Sequence, residues 1–172
     1  MPIYALGERV PDIHPTAFVH PDAVIIGSVV LGEEANIWPG AVLRADYGTV
    51  SVGARTSIQD GTVIHADLAS VIGADCIVGH NVHLHDCVVE DGCLIGSMSA
   101  VLNGTTVRSK ATVAAKALVA SGMEVPSGST AIGVPARIRD GALPPELIKA
   151  AVDIYRDNAK RYRTDLKRLD LS

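Results

Sequence analysis

Residues 63–88 read VIHADLASVIGADCIVGHNVHLHDCV, and this stretch decides how the chain folds. Aliphatic residues recur in it at a step of six, as in Ile72, Val78 and Leu84. Glycine follows the first two of these directly, where a turn between short strands favours it. The same stretch holds four of the six histidines of the chain, set among small and aliphatic neighbours. Neutral imidazole is a common metal ligand, so the histidines indicate either a metal site or polar side chains on the outside of strands.

The six-residue step runs through most of the chain. Twenty successive hexads align, and 19 of them open on Val, Ile or Leu. A six-residue period with an apolar first position is typical of a parallel β-helix, in which three hexads make one coil. The series is interrupted by a three-residue insertion, a two-residue insertion and one missing residue, and it predicts six to seven coils. The opening residues are Ile13, Val19, Ile25, Leu31, Ile37, Leu43, Val52, Ile58, Ile64, Ile72, Val78, Leu84, Val89, Ile95, Val101, Val107, Val113, Val119, Val125 and Ala131.

Composition narrows the classes of function. The net charge is −4 and no cluster of Lys and Arg stands before the C-terminal tail, so we expect no nucleic-acid partner. No apolar stretch approaches 18 residues, and the first residues show no basic segment followed by a long apolar run. We therefore expect no secretion signal, no membrane partner and a cytoplasmic location. Three cysteines are an odd number, which argues against a disulfide framework.

The period changes after the repeat. Pro144 and Pro145 suit the first turn of a helix, and the apolar residues beyond them fall near a spacing of 3.6. We predict one helix over 145–169, with its apolar stripe packed on the solenoid. The chain therefore divides into a β-helix over 1–136 and an exit segment with a C-terminal helix over 137–172, which together form one domain.

The repeat resembles the left-handed hexapeptide β-helix family. The segment from Ala131 to Arg137, AIGVPAR, resembles the G-x-P-A-[KR] ending common in that family. This resemblance implies a left-handed coil, whereas the general rule for parallel crossovers would favour a right-handed one. The predicted fold class is an all-β solenoid, a left-handed parallel β-helix with a C-terminal α-helix.

The coil places the histidines on defined sides of the solenoid. Hexads three apart lie one coil above another, so Arg44, His65 and His85 are expected to stack in a column. His80 belongs to a hexad on a different side. A site made of all three histidines therefore needs a second subunit to supply His80, and a cyclic homotrimer closes that arrangement with three equal sites.

Three motifs resemble the γ-class carbonic anhydrases. They are NIWPGAVLRAD at 36–46, SIQDGTVIH at 57–65 and VGHNVHLHDC at 78–87, in that order. The resemblance covers the solenoid and the helix. It implies hydration of CO2 to bicarbonate by a metal-bound hydroxide at a trimer interface, because such an ion lowers the pKa of bound water to about 7.

The same resemblance implies roles for individual residues. The metal ligands would be His65, His80 and His85, holding Zn²⁺ or, in an all-imidazole site, Fe²⁺ or Co²⁺. The other implied site residues are Arg44 and Asp46 as an ion pair at the subunit boundary, Gln59 as a partner of metal-bound water, Asp60 as an interface carboxylate and Tyr155 on the helix.

The chain also departs from that family. Tyr47 follows Asp46 where the family carries a glutamate, and only a short segment separates His65 from the next hexad, so the usual proton shuttle is missing. Two other enzyme activities therefore stay open: hydrolysis of acyl-CoA thioesters, and a hexapeptide acyltransferase in which a single histidine deprotonates the acceptor and no metal is needed. Three histidines at ligand positions argue against the acyltransferase. A third alternative is a non-catalytic scaffold whose metal only links subunits.

Overall fold

Short strands that contain the hexad openers wind around a triangular prism of about seven left-handed coils. The computed structural model describes residues 2–169. In chain order its elements are β1 Ile3–Tyr4, β2 Asp12–Ile13, β3 Phe18–Val19, β4 Val24–Leu31, β5 Asn36–Ile37, β6 Val42–Val52, β7 Ser57–Ile58, β8 Val63–His65, β9 Ala69–Ile72, β10 Ile77–Val78, β11 His83–His85, β12 Val88–Val89, β13 Leu94–Ile95, β14 Ala100–Val101, β15 Thr106–Val107, β16 Thr112–Val113, β17 Leu118–Val119, β18 Glu124–Val125, β19 Ser129–Ile132, β20 Arg137–Asp140 and α1 Pro145–Asp165.

The prism has three faces of parallel strands. The histidine face contains β8, β11, β14 and β17 with the first parts of β4 and β6. The third face contains β9, β12, β15 and β18 with the last parts of β4 and β6. The helix face contains β3, β5, β7, β10, β13, β16 and β19. Strands on one face are one coil apart, as the hexad spacing predicts.

The core is a ladder of inward aliphatic side chains. Ile58, Ile64 and Leu84 are fully buried, as are most other hexad openers. Small residues such as Ala41 and Cys93 fill the corners, because a narrow triangular interior leaves no room for aromatic rings. The three cysteines are free and buried, in agreement with the prediction of no disulfide framework. Burial raises the pKa of the Cys87 thiol to about 12.

The two insertions lie at one corner, between the histidine face and the third face. Strand β6 turns this corner: Val42–Arg44 pair with β8, and Thr49–Val52 pair with β9. The backbones at the two insertions touch, since a Cβ added to Gly48 would lie 2.1 Å from the carbonyl oxygen of Leu68. Each insertion therefore bulges outward without disturbing the inward ladder.

Helix α1 packs on the helix face and ends earlier than predicted. Ile148 and Val152 pack against Ile77, while Ala159 packs against Phe18 and Trp38. The periodicity predicted a helix to 169, but it ends at Asp165. The first coil is the last surface beneath it, so the following leucines are exposed and no packing extends the helix. Within residues 2–169, no helix has the length and apolarity to cross a lipid bilayer.

Both ends of the solenoid carry strands that the repeat did not predict. Before the first hexad, β1 pairs in parallel with β4, and Ile3 packs against the core. After the last coil, β20 pairs with β19 in antiparallel fashion, so the exit segment closes the open end of the helix-face sheet. The predicted domain ranges run to residues 1 and 170–172, which lie outside the described part of the chain.

Candidate functional site

His65 and His85 lie side by side on the histidine face. They are register partners on β8 and β11, and their ring centroids are 4.8 Å apart. Arg44 is the register partner of His65 in the coil below. The column expected from the hexad count is therefore present.

Carboxylates from the two insertions surround these rings. An Asp67 oxygen lies 3.3 Å from His85 Nε2, and the other lies 3.8 Å from His65 Nε2. Asp46 pairs with Arg44, as the predicted ion pair requires, and also lies 3.7 Å from His65 Nε2. The donor atoms of His65, Asp67 and His85 all fall within 4.8 Å of one another. These three residues form the cluster that we call the histidine–aspartate cluster.

The position of Asp67 in this cluster does not follow from the repeat. It interrupts the hexad series, so no repeat position assigns it to a face. The two-residue insertion directly after His65 is the signal that it lies beside that ring. Asp86 adds a further carboxylate, 3.8 Å from His85 Nε2, so the surroundings of the cluster are acidic.

One ring nitrogen in the cluster lacks a hydrogen bond, although carboxylate oxygens of Asp46 and Asp67 lie 3.7 and 3.8 Å from it. His65 Nε2 is buried and makes no hydrogen bond within the described chain. A buried polar atom without a partner costs about 1–3 kcal/mol, so it points to a group that a single chain does not supply.

His80 lies at a different corner, between the helix face and the histidine face. Its Nδ1 lies 2.9 Å from Asp60 Oδ2, and the two side chains are 47% and 48% exposed. A carboxylate only accepts hydrogen bonds, so Nδ1 carries the proton and the lone pair is on Nε2. His80 is not part of the histidine–aspartate cluster of its own chain, as the sequence predicted.

Tyr155 and Gln59 lie on the helix face near Asp60. The Tyr155 ring packs against Trp38 with centroids 5.5 Å apart, and burial, followed by the charge of Asp60, raises the pKa of its hydroxyl. Gln59 adjoins Asp60 in sequence and is buried, with 4% of its surface exposed. Asp60, His80 and Tyr155 therefore gather at one corner, while His65 and His85 lie on another face.

The remaining described histidines have simpler surroundings. His83 is exposed on the histidine face, and its pKa is lowered by partial burial and then by the charges of His85 and His65. His20 packs among Phe18 and Tyr162 beneath the helix.

Two cavities lie away from the histidine–aspartate cluster and from His80. One of about 510 Å³ lies between a corner of the solenoid at Arg55, Asp75 and Lys110 and the first turn of α1. Another of about 380 Å³ lies beside His20 and the residues after the helix. The histidine–aspartate cluster lines neither cavity: the side chain of Asp67 is half exposed, whereas those of His65 and His85 are 15% and 23% exposed.

Comparison with known proteins relates this chain to transferases built on the same repeat. The profile described as "Bacterial transferase hexapeptide (six repeats)" matches residues 11–45 and 69–103. The carnitine operon protein CaiE of Escherichia coli O7:K1 (strain IAI39) is 39% identical over 139 residues, which is 80% of this chain and 71% of CaiE.

Solved structures show the same relationship. A Bacillus cereus protein provisionally assigned as an acetyltransferase is 30% identical, with a TM-score of 0.90 over 94% of this chain and 96% of its own. A histidine-to-alanine variant of GDP-perosamine N-acetyltransferase from Caulobacter crescentus, in complex with CoA and GDP-perosamine, is 31% identical. Its TM-score is 0.58 over 76% of this chain and 57% of its own.

These relatives correct the activity expected from the sequence. The motifs predicted a γ-class carbonic anhydrase, a zinc lyase acting on CO2 and bicarbonate, but the relatives are CaiE and acetyltransferases. That prediction is wrong. The physical reason for the error is that the solenoid geometry fixes only the direction in which these histidines point. Outward histidines on such a surface are compatible with more than one chemistry.

Proposed function

Since this chain belongs to the hexapeptide-repeat family of β-helical proteins that includes CaiE, we propose that it is an acyltransferase-type enzyme whose donor is a CoA thioester. Two observations support the proposal. The acetyltransferase structures align with most of this chain, and one of them contains CoA. The carrying observation is the His80–Asp60 pair, because the His80 side chain is 47% exposed and its Nδ1 is held by Asp60, which leaves Nε2 to accept a proton.

The pair performs the proton transfer that acyl transfer needs. Asp60 holds Nδ1 of His80, which orients the ring and stabilises the imidazolium that forms. The acceptor's N–H or O–H proton passes to Nε2 as its nitrogen or oxygen attacks the thioester carbonyl carbon. The C–S bond then breaks, and the proton returns from Nε2 to the CoA sulfur. No charge is left on the enzyme after a turnover.

Tyr155, Gln59, Arg44 and Asp46 keep supporting roles in this proposal. The charge of Asp60 acts on both His80 and Tyr155, so this carboxylate links the helix to the reacting corner. Arg44 holds Asp46 beside His65. Gln59 supplies a buried amide next to Asp60 in sequence, and we propose that it positions the backbone that carries Asp60.

A homotrimer would bring the two halves of the site together. His80 lies at one corner of the prism and the histidine–aspartate cluster lies near another, so one chain cannot close a site around both. The histidine face is the surface on which we place the contact, because it carries outward apolar side chains between the polar ones. These are Val24, Val42, Val63, Ala100 and Leu118.

The histidine–aspartate cluster fits a divalent transition-metal ion. The buried Nε2 of His65 makes no hydrogen bond, and Asp67 and His85 offer possible metal-ligand atoms within 4.8 Å. The sequence-based ligand set of His65, His80 and His85 adds His80 of the partner subunit. A bound ion would polarise the thioester carbonyl as a Lewis acid. Because Nε2 of His80 has one lone pair, ligation and proton transfer compete for it.

The metal proposal has a direct test. Metal analysis of purified protein should find about one ion per chain, and His65→Ala should lose it. In His80→Asn an unchanged metal content would assign Nε2 to proton transfer, whereas loss of metal would assign it to ligation. Metal-free wild type that has His65 and His85 intact but never rebinds an ion would contradict the fit.

The activity is tested by following release of free CoA thiol. Acetyl-CoA is presented with panels of amine and hydroxyl acceptors, and acylated products are identified by mass spectrometry. His80→Asn should lower kcat/KM about 10²- to 10⁴-fold, with a smaller loss in Asp60→Asn. His14→Asn is the matched control, since His14 is an exposed histidine of the first coil. Turnover that is equal in wild type and His80→Asn would contradict the proposal.

A further inference from the structure

Two exposed apolar side chains stand beside the histidine–aspartate cluster. Leu68 is 81% exposed and Tyr47 is 72% exposed. Each belongs to one of the two insertions in the repeat, directly after Asp46 and Asp67. A coil closes without either insertion, so these side chains serve neither the core nor the turn.

The backbone that presents Leu68 is held firmly. Its N–H donates to Asp86 Oδ1 at 2.9 Å, and its carbonyl accepts a hydrogen bond from Thr49 N–H at 3.1 Å. The Ser70 hydroxyl ties the end of the same segment to the carbonyl of His65. Leu68 is therefore an apolar side chain that a hydrogen-bonded loop holds in water, so a ligand that covers it would not have to order this backbone first.

The charges near Tyr47 and Leu68 limit the kind of ligand that fits there. Asp46, Asp67 and Asp86 surround the two rings of the cluster. Arg44 offsets the charge of Asp46, so Asp67 and Asp86 are the carboxylates that remain. When no cation is bound in the cluster, a carboxylate-ended group would be repelled by these two, because like charges at short range destabilise each other. An uncharged chain meets no such penalty and gains by covering the two apolar side chains.

We propose that Tyr47 and Leu68 contact the acyl chain of the thioester, so that the enzyme prefers uncharged acyl groups longer than acetyl. This inference rests on the proposed function and names the substrate class of that site. Tyr47 and Leu68 are specificity-determining residues in it, and the proton transfer at His80 does not involve them.

The test measures binding without turnover. Calorimetry compares S-hexyl-CoA, S-ethyl-CoA and a carboxylate-ended analogue of the hexyl chain length, all of which are thioethers that cannot be cleaved. Wild type should bind the hexyl analogue about tenfold more tightly than the ethyl analogue, as expected for a partly covered chain. In protein freed of metal, the carboxylate-ended analogue should bind more weakly than the hexyl one.

Leu68→Ser and Tyr47→Ser should each reduce the hexyl preference and leave ethyl binding unchanged. Leu147→Ser is the matched control, because Leu147 is an exposed leucine on the first turn of α1, on another face. It should keep the full preference.

Three results would overturn the inference. In the first, wild type binds both alkyl analogues equally. In the second, Leu147→Ser loses the preference as fully as Leu68→Ser. In the third, light scattering shows that Leu68→Ser dissociates the oligomer, which would make Leu68 a subunit contact. Chain-length preference in binding together with no turnover of any thioester would instead sink the proposed function and leave the inference intact.

Discussion

The histidine face and the helix face are built on the same inward ladder but differ on the outside. Under the histidine face lie Ile64 and Leu84, and under the helix face lies Ile58, all fully buried. On the helix face the outward Ile77 is buried beneath α1, whereas on the histidine face the outward Val63 is exposed. The two faces therefore rest on the same buried aliphatic core and differ in what covers their outer side chains.

This difference shows how the solenoid separates stability from function. Inward positions must be aliphatic because they fill a narrow core, and no choice of outward residue disturbs them. One face uses this freedom to dock a helix through apolar and aromatic contacts. The other uses it to place histidines and carboxylates, with an unpartnered nitrogen and exposed apolar side chains that a single chain leaves open.

The first prediction, with the largest change in stability, concerns whether the inward aliphatic residues contribute equally to stability under both faces. Leu84→Ala and Ile58→Ala should each lower the free energy of unfolding by about 2–5 kcal/mol, because each leaves a cavity in a close-packed core. Denaturant unfolding followed by circular dichroism measures both. A large loss from one and almost none from the other would show that the coils are not equivalent, and would break the comparison.

The next effect contrasts the outward residues of the two faces. Ile77→Ala removes a contact with the helix and should cost about 2–4 kcal/mol, whereas Val63→Ala should cost less than about 1 kcal/mol in a single chain. Val63→Ala should instead weaken the homotrimer that we propose, as measured by light scattering across a dilution series. If Val63→Ala leaves assembly unchanged and Ile77→Ala disrupts it, the contact is not on the histidine face.

A smaller effect concerns how the helix is attached. Arg156 on α1 pairs with Glu34 of the second coil and with Asp153 of its own helix, and both pairs are partly shielded from water. Arg156→Met keeps the packing of the side-chain stem and should lower stability by about 1 kcal/mol. Fluorescence of Trp38, the single tryptophan, reports whether the helix loosens. Lys149→Met, which removes an exposed pair within the helix, is the control and should change little.

The smallest effect lies on the third face and depends on pH. A hydrogen bond from Arg108, and then those from Ser109, hold the pKa of Glu90 below its usual value. A lowered pKa in the folded state stabilises the protein above the unfolded pKa, and this contribution is lost as the pH falls through the folded value. Wild type should therefore have a slightly higher Tm than Glu90→Gln at neutral pH and no advantage in strong acid. Added salt should shrink the difference, and a difference that grows in acid would contradict it.

Much of the site was predictable because the hexad count is also a map of faces. Counting in threes stacks Arg44, His65 and His85 and sends His80 to another side, and the strand pairings reproduce this. The contacts of Asp67, Tyr47 and Leu68 were not predictable, because insertions fall outside the repeat and their direction depends on how two bulges pack together. The activity was misjudged for a similar reason, since three histidine positions do not specify what else the surface binds.

The amino-acid pattern is enough to predict the inside of this protein: a six-residue period admits one narrow prism, and aliphatic openers must face its axis. It also predicts that a helix follows, because the apolar spacing changes to 3.6 after the exit segment. The end of that helix, the strands that close the two ends of the solenoid and the carboxylate that each imidazole meets are visible only in the folded chain. Burial along the axis is a local, repeated requirement, whereas the outer surface is set by contacts between coils and insertions that are distant in sequence.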